Sequence, residues 1–296
     1  MTIKLAMHTW PYASNPTWLP AYTLEETIKR VKKIGYDAIE IGAASPHVFP
    51  PTLSKQRRED IAQMLKDYDM ALAAMLPAHG GGPGNNVASP IPEERRWAID
   101  HYKEVAQLTA DWGGKRLICL PGWYIFGTTY KQAWDWAAAA IREIARFSSD
   151  LGVEIVIEPT PEDSNIVNTC DDTIDMMKDV GESNVRLMFD SHHVITEKEV
   201  MSDYVYAMGK DLVHIHASDN NRLPPGKGRG DFPALIQALH ETGFDGYLSM
   251  ECGFHQRGIE PDWVARVSLE YLKPLVDAAN RSAKKPSGEG VSSANV

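Results

Sequence analysis

The chain repeats one theme along most of its length: an amphipathic helix, a glycine, then a short apolar strand. In its first instance Thr23-Leu-Glu-Glu26 carries a capping-box pattern, and Leu24, Ile28, Val31 and Ile34 follow as an apolar stripe at helical spacing. Gly35 ends that stretch, and residues 37–41, DAIEI, read as a strand. The same order returns in DLGVEIVIE (150–158) and ETGFDGYLSME (241–251), and more loosely in DWGGKRLICL (111–120).

Collected in this way, eight strands are expected: Ile3–His8, Ala38–Ile41, Ala71–Met75, Arg116–Leu120, Glu154–Ile157, Val185–Phe189, Leu212–His216 and Gly246–Met250. Helical stretches lie between them, notably 93–111, 131–150, 171–180, 232–242 and 262–279. Such alternation predicts parallel pairing through right-handed crossovers. A closed (β/α)8 barrel of the α/β class accounts for the strand count. It also fits a chain of 296 residues, since such barrels take about 250. A doubly wound open sheet would need a glycine-rich phosphate loop after the first strand, where this chain reads HTWPYASNP. The barrel domain is expected over residues 1–280, with no linker dividing it. Residues 79–93, HGGGPGNNVASPIPE, are expected to form a mobile loop over one mouth, and 281–296 a disordered tail.

Thirty basic residues against forty acidic ones give a formal charge of −10, which repels a phosphate backbone. Neither nucleic acid nor an anionic membrane is an expected partner. Three cysteines without CxxC spacing fit a reducing compartment. The N-terminal apolar run is too short for a secretory segment, and no stretch approaches the roughly 20 apolar residues of a membrane span. A cytoplasmic location is the expectation.

In a barrel of this kind the active site lies at the C-terminal ends of the strands. The fifth strand ends in Glu158, the sixth in Asp190, the seventh in His216 and the eighth in Glu251. A single carboxylate at a strand end is most often a helix cap or a rim ion pair. Four metal-competent groups on four adjacent strands are hard to assign that way. Three carboxylates with one imidazole form a hard donor set, suited to one manganese, magnesium or cobalt ion. Without a cation the carboxylates would repel one another.

Further polar groups surround this set. His193 follows Asp190 by three residues, and Arg222 follows His216 by six. The glycines of PPGKGRGDF (224–232) either cradle an anion through backbone amides or shape the turn into a helix capped by Asp231. Strand alternation puts His214 on the same inner face as His216. His8, Trp10 and Trp123 end the first and fourth strands, where they stand to wall a substrate pocket, although rim packing is the plainer role for the tryptophans. His192 and His255 carry no distinguishing context.

The series IEP (157–159), DSHH (190–193), HIHASD (214–219), PGKGRGDF (225–232) and SMEC (249–252) resembles the sugar phosphate isomerase/epimerase superfamily, the xylose-isomerase-like barrels. Within it the chain is most similar to ketose 3-epimerases acting on tagatose, psicose or fructoselysine. IEIGAASPHVFPPTLS (39–54) resembles the fructoselysine branch. The resemblance runs over about residues 3–275 and is strongest from 154 onward. It implies that Glu158, Asp190, His216 and Glu251 hold one divalent metal, usually manganese, that Glu158 and Glu251 double as acid and base, and that His193 and Arg222 grip substrate oxygens. It also implies a dimer or tetramer. One departure stands out. Tagatose and psicose epimerases carry another glutamate about six residues after the first, where this chain reads PTPEDSN (159–165), with Ser164 near that place and Glu162 or Asp163 as substitutes.

The implied reaction removes a proton alpha to a ketone and returns one on the opposite face, which takes two carboxylates. The same residues support isomerisation, or β-elimination from inososes, 3-oxo sugars or C-glycosides. Type IV apurinic endonucleases resemble the chain at Asp190–His193 and His216. Their three-metal site needs an Asp-x-His pair where this chain reads DNNRLPPGKG. A non-catalytic sugar-binding protein would need no such register of donors.

Overall fold

The computed structural model describes residues 2–13, 21–77, 86–254 and 258–282. Eight strands form a closed barrel in sequence order: β1 Thr2–His8, β2 Ala38–Ala43, β3 Ala71–Pro77, β4 Arg116–Cys119, β5 Glu154–Ile157, β6 Val185–Asp190, β7 Leu212–His216 and β8 Asp245–Met250. Every neighbouring pair is parallel. Around it lie α1 Leu24–Ile34, α2 Lys55–Asp67, α3 Pro92–Asp111, α4 Tyr130–Ser149, α5 Cys170–Val180, α6 Ser191–Thr196, α7 Met201–Met208, α8 Phe232–Glu241 and α9 Pro261–Ser282. The expected eight-stranded barrel is therefore observed, with strand ends shifted by one or two residues. The helices α2, α6 and α7 fill the β2–β3 and β6–β7 intervals, where the alternation implies helix but the pattern marks no bounds. The glycine-rich stretch falls partly at 78–85, outside the described residues, as do 283–296 of the expected tail. Residues 281 and 282 belong to α9.

Local chemistry starts the helices. Thr23, Ser54, Thr129, Thr169 and Asp231 each accept a backbone N–H of the first turn through a side-chain oxygen. The expected capping box at Thr23 forms only by its first half. Thr23 accepts the Glu26 N–H, but the Glu26 carboxylate accepts from Arg30 Nε at 2.9 Å. Gly35 closes α1 at φ +116°, a left-handed conformation suited to glycine.

The strands are buried on both faces and build two packed layers. Ile39, Ile41, Phe189, Ile215 and Leu248 pack outward with helix residues such as Val31, Leu235 and Val264. Ala74, Leu76, Ile118, Val156 and Met188 form a second cluster with Trp10. A Cβ on Gly42 would stand 2.6 Å from the Trp10 ring, so the indole packs there only against glycine. At the opposite end of the chain Asn280 of α9 bonds both the N–H and the C=O of Ile3 at 2.9 Å, tying the last helix to the first strand.

Register carries function. His8 pairs with Glu40, Asp190 with His216, and His216 with Ser249, so polar groups at the strand ends share one level.

His47, just beyond β2, is buried and donates Nε2–H to the Tyr22 carbonyl at 2.9 Å. Burial pushes its pKa from 6.5 down to about 4. Between these values the unfolded chain binds a proton that the folded histidine refuses. Stability therefore falls as pH drops through that window, by up to about 3 kcal/mol from this residue. Urea unfolding at pH 7 and pH 4.5 should show a smaller pH-dependent loss in His47→Gln, which keeps an amide donor; an equal loss in both proteins would assign the acid sensitivity elsewhere.

Candidate active site

Four strand ends converge. Glu158 follows β5, Asp190 ends β6, His216 ends β7 and Glu251 follows β8; one ligand atom from each lies within 4.8 Å of the others, and all four are buried. Glu158 Oε1 is 2.9 Å and Glu251 Oε2 3.3 Å from His216 Nδ1. The expected convergence of these residues is observed.

Three carboxylates packed together need positive charge. Burial, with Glu251 and Asp190 nearby, raises the Glu158 pKa even though His216 opposes it. Burial also pushes Glu251 up, but His216 and Arg222 outweigh it and hold its carboxyl well below the usual range. Burial lowers the His216 pKa, yet Glu251, Glu40 and Glu158 together hold it well above the ordinary value. A divalent cation would meet the same demand. The donor set is three carboxylate oxygens and one imidazole nitrogen, so the residues fit a hard divalent ion.

Below this level lies a further carboxylate, outside the expected set of donors. Glu40 of β2 is fully buried and accepts from His214 Nε2 at 2.8 Å and from His216 Nε2 at 2.8 Å; His8 Nε2 lies 3.3 Å away. Burial would raise its pKa, but His216, His214 and His8 hold it well below the carboxylate range. A carboxylate on Nε2 fixes the His216 ring and aims Nδ1 at Glu158 and Glu251. The available signal was strand alternation: Glu40 stands between Ile39 and Ile41, an acid on the face that Ala38 also occupies. His214, expected on the inner face, meets Glu40 there.

The expected substrate residues fall into different positions. Arg222 is bonded to Asp190 Oδ2 and, at 2.7 Å, to Glu251 Oε2 through the same Nη1. His193 Nε2 stands 3.5 Å from Arg222 Nη2 and 3.9 Å from Asp190 Oδ2. His8 is fully buried; its Nδ1 accepts the Trp10 N–H at 3.0 Å and its Nε2 is 4.0 Å from Glu251 Oε1. It therefore lies between Glu40 and Glu251, with its Nε2 hydrogen-bonded to neither among the described residues. Trp123 is partly exposed, and its backbone pairs with the Asn86 amide at 2.7 and 3.0 Å.

A match to the xylose isomerase-like TIM barrel spans residues 28–275. The chain belongs to that family. It is 28% identical over 238 residues to D-psicose 3-epimerase of Ruminiclostridium cellulolyticum, covering 76% of each chain. It is 24% identical over 260 residues to fructoselysine 3-epimerase of Escherichia coli O157:H7, covering 86% of this chain and 94% of that one. A solved L-ribulose 3-epimerase superposes with a TM-score of 0.81 at 18% identity, over 98% of this chain and 100% of the other. No described helix is long and apolar enough to cross a membrane.

Two features set this family member's site apart from what its motifs imply. Ser164 is buried with its Oγ 3.5 Å from the Val167 carbonyl oxygen. Glu162 turns instead to the histidine pair, 2.8 Å from His192 Nε2 and 3.5 Å from His193 Nδ1. His193 and then His192 hold the Glu162 carboxyl down to about 2 against the effect of burial. His192 thus has a definite partner that its local sequence does not mark.

The second feature concerns the glycine-rich loop, whose amides cradle an anion supplied by the protein itself. The buried Asp219 carboxylate accepts the backbone N–H of Gly226, Gly228, Arg229 and Gly230 at 2.7 to 3.2 Å, and that of Asn220 at 3.0 Å. Asp231 also caps α8 as expected, accepting the Ala234 N–H at 3.1 Å. The cradle steadies a strained turn: Asn221 and Arg222 adopt φ +57° and +55°. Asp219→Ala should cost about 3 kcal/mol or more by orphaning these donors, a fall in Tm of roughly 6–12 °C by calorimetry. Asp219→Asn should fall between the two. A loss below about 2 °C for the alanine variant would show that water replaces the carboxylate fully.

Proposed function

We propose that this chain is a divalent-metal-dependent sugar epimerase that moves a proton at the carbon alpha to a ketone. The observation that carries the reading is the register of Glu158, Asp190, His216 and Glu251, four buried donors at the ends of four adjacent strands. The relatives named D-psicose and fructoselysine 3-epimerase support the reaction class and a ketose-like substrate. These four residues would hold the ion, with manganese favoured by the hard donor set and magnesium or cobalt as substitutes. When bound, the ion supplies electrostatic stabilisation of charge developing on the substrate's carbonyl oxygen.

The rest falls to side chains. Glu158 and Glu251 act as the acid–base pair: one takes the proton from the sugar carbon and the other returns a proton to the opposite face, with roles exchanged in reverse. Two groups are required because a single base returns the proton to the side it left. Arg222, permanently charged, and His193 orient the oxygens flanking the reacting carbon. His8 and Trp123 complete the binding region, His8 from the floor and Trp123 from the β4 side. With Ser164 where tagatose and psicose epimerases carry a carboxylate, one contact to the terminal hydroxyls is weakened. This favours substituted ketoses and 3-oxo sugar derivatives over free ketohexoses.

The test is solvent exchange in heavy water over ketohexoses, ketopentoses, fructosamines and 3-oxo-glycosides with manganese present. Deuterium is expected at the carbon alpha to the ketone of at least one substrate. Glu158→Gln and Glu251→Gln should each slow exchange by at least about 100-fold. His216→Ala should lose the one manganese per chain retained by the wild type. Unchanged turnover in Glu251→Gln, or a wild-type chain that retains no divalent ion, would refute the proposal.

A further inference from the structure

Beside the strand-end cluster, the described residues bring together a second group of metal-competent side chains. Glu162 lies in the segment after β5, and His192 and His193 are the second and third residues of α6. One donor atom from each of the three lies within 4.8 Å of the others. Glu162 Oε2 is 2.8 Å from His192 Nε2 and 3.5 Å from His193 Nδ1. Both imidazoles are buried, at 7% and 3% exposure, while the Glu162 side chain is 48% exposed, so the group opens to solvent on the carboxylate side.

The packing leaves a deficit. Glu162 gives His192 Nε2 a good hydrogen bond, but His193 Nδ1 faces the same oxygen from too far and has no hydrogen-bond partner among the described residues. Buried polar atoms are normally satisfied, and the 3.5 Å approach to Glu162 leaves this nitrogen a charge contact without a hydrogen bond, a spacing that an ion bridging the two would use. The two ring nitrogens of His193 also face different groups, Nδ1 toward Glu162 and Nε2 toward Arg222, Asp163 and Asp190.

Donor chemistry separates this group from the first. Two imidazole nitrogens and one carboxylate oxygen suit zinc, nickel or copper, whereas three carboxylates with one imidazole suit manganese or magnesium. Zinc bonds of about 2.0–2.2 Å in tetrahedral geometry set neighbouring donors roughly 3.3–3.5 Å apart. The His193–Glu162 spacing of 3.5 Å already matches, and the His192–Glu162 spacing of 2.8 Å needs to open by less than about 1 Å, within reach of a half-exposed carboxylate.

We propose that Glu162, His192 and His193 form a second cation site, selective for zinc-class ions and separate from the three-carboxylate cluster. Its fourth position is open to water. Zinc on Nδ1 fixes the remaining proton of His193 on Nε2 and adds positive charge next to Arg222, so a filled site slows turnover. That last consequence rests on the substrate role given to His193 under the proposed function; the binding itself does not.

The experiment loads the full-length protein with manganese, removes excess ion, and titrates zinc, measuring both metals per chain by mass spectrometry after buffer exchange. Wild type is expected to keep one manganese and gain one zinc. His192→Asn and Glu162→Gln should each keep the manganese and weaken zinc binding at least tenfold, and zinc inhibition of exchange should weaken in parallel. Glu162→Gln alters a half-exposed side chain and guards against a folding defect in the histidine variant. A wild type that gains no zinc, or variants that both gain it with unchanged affinity, would overturn the proposal. Failure to hold manganese while zinc still binds through Glu162 and His192 would count against the proposed function and leave this site standing.

Discussion

One buried carboxylate organises the polar end of the barrel. Glu40 projects from β2 and meets His214 and His216 of β7, with His8 of β1 beside it. An ionised carboxylate with no exposure is costly unless paired and hydrogen-bonded. Here both oxygens are engaged by imidazoles from the far wall. The gain is directional: with Nε2 of His216 held from below, Nδ1 has one orientation left, upward between Glu158 and Glu251. The placement of Glu158 and Glu251 on the cluster's lower side depends on that ring.

The upper side of the cluster is set by a different device. Arg222 reaches Asp190 and Glu251 from a turn whose backbone is left-handed at two successive non-glycine residues. Such conformations persist only when the surroundings over-determine them. Asp219 supplies that constraint through five amides, and the Gly253 N–H holds the Arg222 carbonyl at 2.7 Å. Gly228 must remain a glycine for steric reasons, because a Cβ there would lie 2.4 Å from the Asp219 and Asn220 side-chain oxygens. The loop thus directs its own internal anion inward and its guanidinium toward the site.

What was legible in the sequence follows from the range of each signal. Strands and long helices announce themselves through local period, and a closed parallel barrel then converts strand ends into neighbours, so Glu158, Asp190, His216 and Glu251 were readable without any local motif. Glu40 was not, because its partners lie 174 and 176 residues away across the barrel and nothing near it in the chain marks the pairing. The glycine-rich loop was legible as an anion cradle but not as a filled one, since backbone amides have the same disposition toward a ligand's anion and toward Asp219. His192 lacked context for a similar reason: its partner, Glu162, sits in an irregular segment whose path no periodicity predicts.

The two clusters meet through α6. Asp190 both joins the strand-end donors and caps this helix, its Oδ1 accepting the His192 N–H at 2.8 Å. The backbone that carries His192 and His193 is therefore anchored to a residue of the first cluster, while their rings are drawn toward Glu162 on the neighbouring segment. A six-residue helix leaves little room to absorb a shift. A change in charge or occupancy at Glu162 reaches His193 and, through its Nε2, Arg222, which in turn holds Asp190 and Glu251, whereas Glu158 is held on His216. The site divides accordingly into a half built on the barrel interior and a half built on loops and a short helix.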